Sequence, residues 1–342
     1  MKKWFLYGAA ATVLIGGAPA VQAATSHAEI AQYDAAARRG DAEAQFKLGV
    51  CFYNGDGVPK DHRQAAYWFR LAADRGHAAA QYNMALCCRN GWGIPKDPAQ
   101  AVYWFQKSAA QGDRDAQGKL GICFFKGEGV PKDDRQAAYW FRKAADQGEA
   151  EAQYNLGQCC RNGWGMPADP AQAMYWYRKS AEQGFVKAQF NLALLCFHGN
   201  GVPKNLPLAA FWFRKAAEQG DSASQFNYGQ CCRKGWGVPP DPAQAVYWYQ
   251  KAAEQGHVEA QFNLGTCCHD GVGVRKNHRH AAYWFRKAAE QGLKEAQYNL
   301  GLYYKNGWGG MPQDMRQAAY WLKQAAAQGH RKAASTLRKM GY

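Results

Sequence analysis

The chain has 342 residues, 47% of them hydrophobic, 14% aromatic and 20% charged, with a formal net charge of +15. A mean hydropathy of −0.55 excludes a polytopic membrane protein, whose spans need long uncharged stretches. Thirteen Trp, 19 Tyr and 16 Phe exclude a disordered chain, because they supply ample surface to bury.

Residues 1–23 read as a signal peptide. Lys2 and Lys3 give a positive start, Trp4 to Ile15 an apolar run, and Val21-Gln22-Ala23 a small-residue cleavage site. The run is too short and too rich in Gly and Ala to span a bilayer comfortably. The expectation is an exported chain, periplasmic or secreted, with Ala24 as its first residue and no membrane span after cleavage. Residues 24–40 follow as an N-terminal capping helix.

From residue 41 onward one unit repeats. Gln45, Gln81, Gln117, Gln153, Gln189, Gln225, Gln261 and Gln297 recur every 36 residues, and Trp68 to Trp284 keep the same step. Trp321 comes one residue late because of Gly309-Gly310. Eight units over 41–329 result, each predicted to be two antiparallel helices, A and B. In helix A, Ala44, Leu48 and Cys51 or Phe52 fall at helical spacing. Gly49 and its equivalents are all Gly or Ala, which predicts a close helix approach. Gly55-Asp56-Gly57 breaks the helix, and Asp61 is placed to cap helix B. Ala65, Trp68 and Ala72 share a helix B face, and Gly76 suits a left-handed stop. One hairpin cannot bury its Trp face alone, but stacked neighbours can, so the predicted fold class is an all-α solenoid. Residues 330–342 read as a C-terminal capping helix.

The pattern A-x-x-x-L-G…G-x-G…D…A-x-x-W…A…G, seen in Ala152, Leu156, Gly157, Gly163, Gly165, Asp169, Ala173, Trp176, Ala181 and Gly184, resembles the Sel1-like repeat family, a relative of the tetratricopeptide repeats. Two departures stand out: Gly118 replaces the aromatic after Gln117, and Leu206-Pro207 alters one helix start. The resemblance implies a right-handed α-superhelix that scaffolds protein–protein contacts. It also implies that helix A lines the concave face. The candidate partner-binding residues are therefore Tyr82, Asn83, Arg89, Tyr154, Asn155, Arg161, Asn191, Phe197, Phe226, Asn227, Arg233, Asn263 and Asn299. An Asn amide suits an extended ligand because it can both donate to and accept from a backbone.

Catalytic signatures are missing. There is no HExxH, no Gly-rich phosphate loop and no Gly-x-Ser-x-Gly, so neither an enzyme nor a cofactor is expected. Some exported, cysteine-rich relatives are described as β-lactam-binding, which makes a β-lactam or peptidoglycan binder the rival reading. No serine, however, has Lys three residues on.

Cysteine is the strongest oddity. All eleven (Cys51, Cys87, Cys88, Cys123, Cys159, Cys160, Cys196, Cys231, Cys232, Cys267 and Cys268) fall in helix A. Either some pair between neighbouring A helices, as an exported compartment permits, or they fill a tight contact as small hydrophobes. Cys267, Cys268 and His269 end one helix near His278 and His280, but the spacing matches no standard metal site and none is expected. Trp92, Trp164, Trp236 and Trp308 occupy the Gly-x-Gly loops of even repeats; they either present contact anchors or fold back over the neighbouring hairpin. Basic pairs such as Arg178-Lys179 and Arg214-Lys215 follow the helix B Trp and form either a solvated face or a stripe that suits an acidic partner. The resemblance implies a protein or peptide partner. No base-reading motif points to nucleic acid, and no feature fixes an oligomeric state.

Overall fold

The computed structural model describes residues 26–342. The expected signal segment and its cleavage site lie outside them. The described residues are helical, with no strand, and divide into two compact units that meet between residues 169 and 170. Within each unit the chain is a stack of antiparallel helix pairs, so the architecture is an all-α solenoid.

Unit 1 opens with α1 (His27–Arg38), packed on α2 (Ala42–Asn54). Then follow α3 (His62–Asp74), α4 (Ala78–Asn90), α5 (Pro98–Ala110), α6 (Arg114–Lys126), α7 (Asp134–Asp146) and α8 (Ala150–Asn162). Unit 2 holds α9 (Pro170–Glu182), α10 (Val186–His198), α11 (Leu206–Glu218), α12 (Ser222–Lys234), α13 (Pro242–Glu254), α14 (Val258–Asp270), α15 (His278–Glu290), α16 (Lys294–Asn306), α17 (Met315–Ala327) and α18 (Arg331–Lys339). A 3₁₀ turn, Trp308–Gly310, links α16 to α17. Even-numbered helices from α2 to α16 are helix A of a repeat, and odd-numbered ones from α3 to α17 are helix B.

Local chemistry sets the helix ends. The Asp41 carboxylate accepts the Ala44 N–H at 3.0 Å and starts α2, while Gly55 ends it at φ +88°. The Asp61 carboxylate accepts the N–H groups of Arg63 and Gln64 and starts α3; Asp241 does the same for α13, with Pro242 in the first turn. Helix A and helix B then meet closely, as the small residues predict. A Cβ on Gly121 would lie 2.6 Å from the Phe141 ring, and one on Gly265 2.8 Å from Phe285. The second glycine of the loop works between repeats: a Cβ on Gly93 would fall 2.0 Å from the His62 carbonyl oxygen.

The recurring Gln is a buried latch. Gln81 donates from Nε2 to the Ala73 carbonyl at 3.1 Å, and its Oε1 accepts from Gln111 Nε2 at 2.8 Å. Gln111 also donates to the Gly76 carbonyl, so the end of α5 is tied both to α4 and to the turn before it. Gln225 with Gln255, and Gln261 with Gln291, repeat the arrangement in unit 2. In the first repeat Arg75 occupies the register of Gln111 and bonds its own helix at Leu71; the Gln45 Oε1 is buried without a partner.

Candidate partner-binding surfaces

In unit 1 the helix A face is less open than its sequence suggests. Tyr82, Asn83, Tyr154 and Asn155 are all buried. Tyr82 lies 5.8 Å from the Phe105 ring, and the Asn83 amide donates to the Ala79 carbonyl at 2.8 Å within its own helix. Tyr154 accepts from Gln158 Nε2. In the same register as Asn83, Lys119 reaches Glu151 at 2.8 Å. These four residues are therefore packing groups, a correction to their reading as groove contacts. Arg89 and Arg161 are half-buried, and the Arg89 guanidinium is paired with Glu128 at 3.5 Å.

Unit 2 keeps the face accessible. Asn191, Asn227, Asn263 and Asn299 recur at one helix A position, and all are half-buried. Asn191 and Asn227 donate to the carbonyls of Lys187 and Ala223 in their own helices. Among the described residues Asn263 and Asn299 make no side-chain hydrogen bond, and the Asn227 Oδ1 likewise keeps its accepting capacity. Phe226 stacks on His257 with ring centroids 4.8 Å apart, and Arg233 is half-buried. Phe197 lies between Trp236, at 5.2 Å, and the Lys204 ammonium, at 5.7 Å.

The helix B surface carries the expected basic residues together with exposed aromatics that the sequence reading did not single out. In unit 2, Tyr175, Phe211, Tyr247, Tyr283 and Tyr320 stand 48–53% exposed, one per helix B; in unit 1, Tyr67, Tyr103 and Tyr139 stand 46–56% exposed. Each precedes the inward Trp and so points about 100° away from it. Lys179, Lys215, Lys251 and Lys287 lie 5.5–5.8 Å over the ring four residues earlier, and none of them is ion-paired among the described residues. The signal in the sequence is the Tyr or Phe directly before every repeat Trp.

The loop tryptophans fold back. Trp92 packs on Tyr53 at 5.3 Å, Trp164 on Phe125 at 5.0 Å and Trp308 on Tyr303 at 5.5 Å. All eleven cysteines are buried, and the ten from Cys87 onward are free thiols. Burial pushes Cys87, Cys159 and Cys231 up to about 12, so they stay protonated and pack as small hydrophobes.

The Sel1 repeat family model matches eight successive segments, 42–77, 78–113, 114–149, 150–185, 186–221, 222–257, 258–293 and 294–330. No curated protein matches the chain. Among solved structures, the chain is similar to a protective antigen present in uropathogenic Escherichia coli strains, at 37% identity and TM-score 0.88 over 91% of this chain and 67% of that one. It is also similar to a Sel1 repeat protein from Oxalobacter formigenes, at 31% identity and TM-score 0.68 over 96% of this chain and 98% of that one. With eight repeat matches and these two relatives, the chain belongs to the Sel1 repeat family.

Proposed function

We propose that this chain is an exported, non-catalytic scaffold that binds an extended segment of a protein partner along the helix A face of unit 2. The observation that carries the reading is the register of half-buried asparagines: Asn263 and Asn299 make no side-chain hydrogen bond among the described residues, and Asn227, whose amide donates to Ala223, keeps its Oδ1 open to accept. Each can serve one backbone group of a ligand lying across successive A helices. The net charge of +15 favours an acidic partner and speeds its encounter. Export rests on Lys2-Lys3, the apolar run and the cleavage site, and the similarity to a protective antigen is in keeping with it.

The test has two arms. Intact-mass measurement on periplasmic or secreted material should give a chain beginning at Ala24; retention of Met1 would contradict export. Crosslinking capture from the native envelope should return a partner whose binding weakens when Asn227, Asn263 and Asn299 are changed to Ala. A partner captured equally by that variant would contradict the helix A reading. A second reading, favoured by the exposed aromatic–lysine stripe, places the contact on helix B; in that case Lys215, Lys251 and Lys287 to Ala is the damaging triple.

A further inference from the structure

We propose that His269, His278 and Tyr303 form a binding site for a divalent copper ion. His269 Nδ1 lies 2.7 Å from the Tyr303 hydroxyl oxygen, and His278 Nδ1 lies 3.2 Å from the same atom. Imidazole nitrogens from α14 and α15 thus both lie within hydrogen-bonding reach of one phenol oxygen on α16. With metal–ligand bonds of about 2.0–2.1 Å, those separations correspond to nitrogen–metal–oxygen angles of roughly 80° and 100°. A regular tetrahedral site would need both separations near 3.3 Å, by the same bond lengths. Two imidazoles and an oxygen donor at nearly right angles suit the tetragonal preference of Cu(II), which also binds such donors most tightly among the first-row divalent ions. Burial holds the proton on the Tyr303 phenol in the metal-free chain; on binding, the ion displaces that proton to solvent and the phenolate oxygen becomes the third ligand.

The internal repeat supplies the contrast. The residue at the register of Tyr303 is Cys in six of the other repeats and Leu195 in the fifth. In unit 1 the matching nest is Tyr53, His62 and Cys87 under Trp92. Only the last pair of repeats puts two histidines and a tyrosine there, and only beside them does the extra glycine lengthen the loop. That loop holds Trp308 over the cluster, 5.8 Å from the His269 ring and 6.2 Å from that of His278. Trp308 is 40% exposed, more open than Trp92, Trp164 or Trp236, which gives an ion a way in. Cys267 and Cys268 are buried, and among the described residues no group of three His, Cys, Asp or Glu side chains is placed to hold a metal. The site exists only because a tyrosine supplies the third donor.

The experiment adds Cu(II) to the full chain and reads stoichiometry by equilibrium dialysis, ligation by electron paramagnetic resonance, and the phenolate-to-copper charge-transfer band by visible absorption. The expected result is one tight ion per chain with a tetragonal signal coupled to nitrogen and a visible band. Tyr303→Phe keeps the ring packing, so it should fold, yet it should abolish the band. His269→Ala and His278→Ala should each weaken binding by roughly tenfold or more, whereas His62→Ala should change nothing. Counting thiols before and after separates copper lost to cysteine oxidation. No tight copper, or copper whose band or affinity survives in Tyr303→Phe or in both histidine variants, would overturn the proposal and leave a hydrogen-bonded cluster only.

Discussion

A single departure from the repeat, Arg75 in place of Gln, leaves the Gln45 Oε1 buried without a donor. An unmet buried acceptor costs more than a formed hydrogen bond returns. Arg75→Gln should restore the latch and stabilise the first repeat by about 0.5–1.5 kcal/mol. Thermal melting of the full chain should show a higher midpoint for unit 1; a lower one would mean that the Arg75 bond to Leu71 matters more. The thiols give a second residue-level expectation. A group at about 12 is scarcely ionised near pH 8, and the thiolate is the reactive form. Native protein should therefore react slowly with Ellman's reagent, and the ten thiols from Cys87 onward should appear on unfolding in guanidinium. Rapid native reaction would contradict the packing role, and a shortfall after unfolding would reveal disulfides. The recurrence of Gln and Cys was plain in the sequence. Their roles were not, because a latch joins residues 30 apart and burial depends on which repeats flank a helix.

At the scale of the helices, close approach and capping dominate. Gly121→Ala gains about 1 kcal/mol of helix propensity, yet it pushes a Cβ to 2.6 Å from the Phe141 ring. Overpacking of that kind costs about 1–3 kcal/mol, so a net loss of stability is expected in chemical denaturation. A midpoint equal to wild type would mean that the two helices can separate freely. His257 makes another element-level case. Its Nδ1 accepts the Ala260 N–H at 3.4 Å and caps α14, while its ring stacks on Phe226. Burial holds its pKa below the ordinary 6.5, outweighing the nearby carboxylates of Glu259 and Asp221. The unfolded chain thus takes up the proton first. The contribution is full above pH 6.5 and is lost as pH falls through the lower folded value. Melting between pH 7.5 and 5 should show that loss, and His257→Asp, which caps as Asp221 does for α12, should flatten it. An unchanged pH slope in the variant would contradict the role. Helix boundaries, caps and small-residue contacts were legible because each is set within a few residues. The buried state of Tyr82 and Asn155 was not, since it arises from helices before and after in the stack.

Across the whole molecule, one 36-residue pattern is enough to give the fold and the family, because every repeat solves the same burial problem with its neighbours. The binding face is harder to read, since periodicity marks inward and outward positions alike: the same arithmetic that aligns the asparagines also aligns the exposed helix B aromatics. Only the structure distinguishes α4 and α8, where Asn83 and Asn155 are buried, from the A helices of unit 2, where the matching asparagines are half-buried. The most direct measurement compares partner affinity for two triple variants of unit 2, Asn227, Asn263 and Asn299 to Ala and Lys215, Lys251 and Lys287 to Ala. Each lost hydrogen bond contributes about 0.5–1.5 kcal/mol, so the asparagine triple should weaken binding by at least about tenfold. The lysine triple should have a smaller effect that disappears at high salt. Unchanged affinity in the asparagine triple, with a large salt-resistant loss in the lysine triple, would contradict binding along helix A.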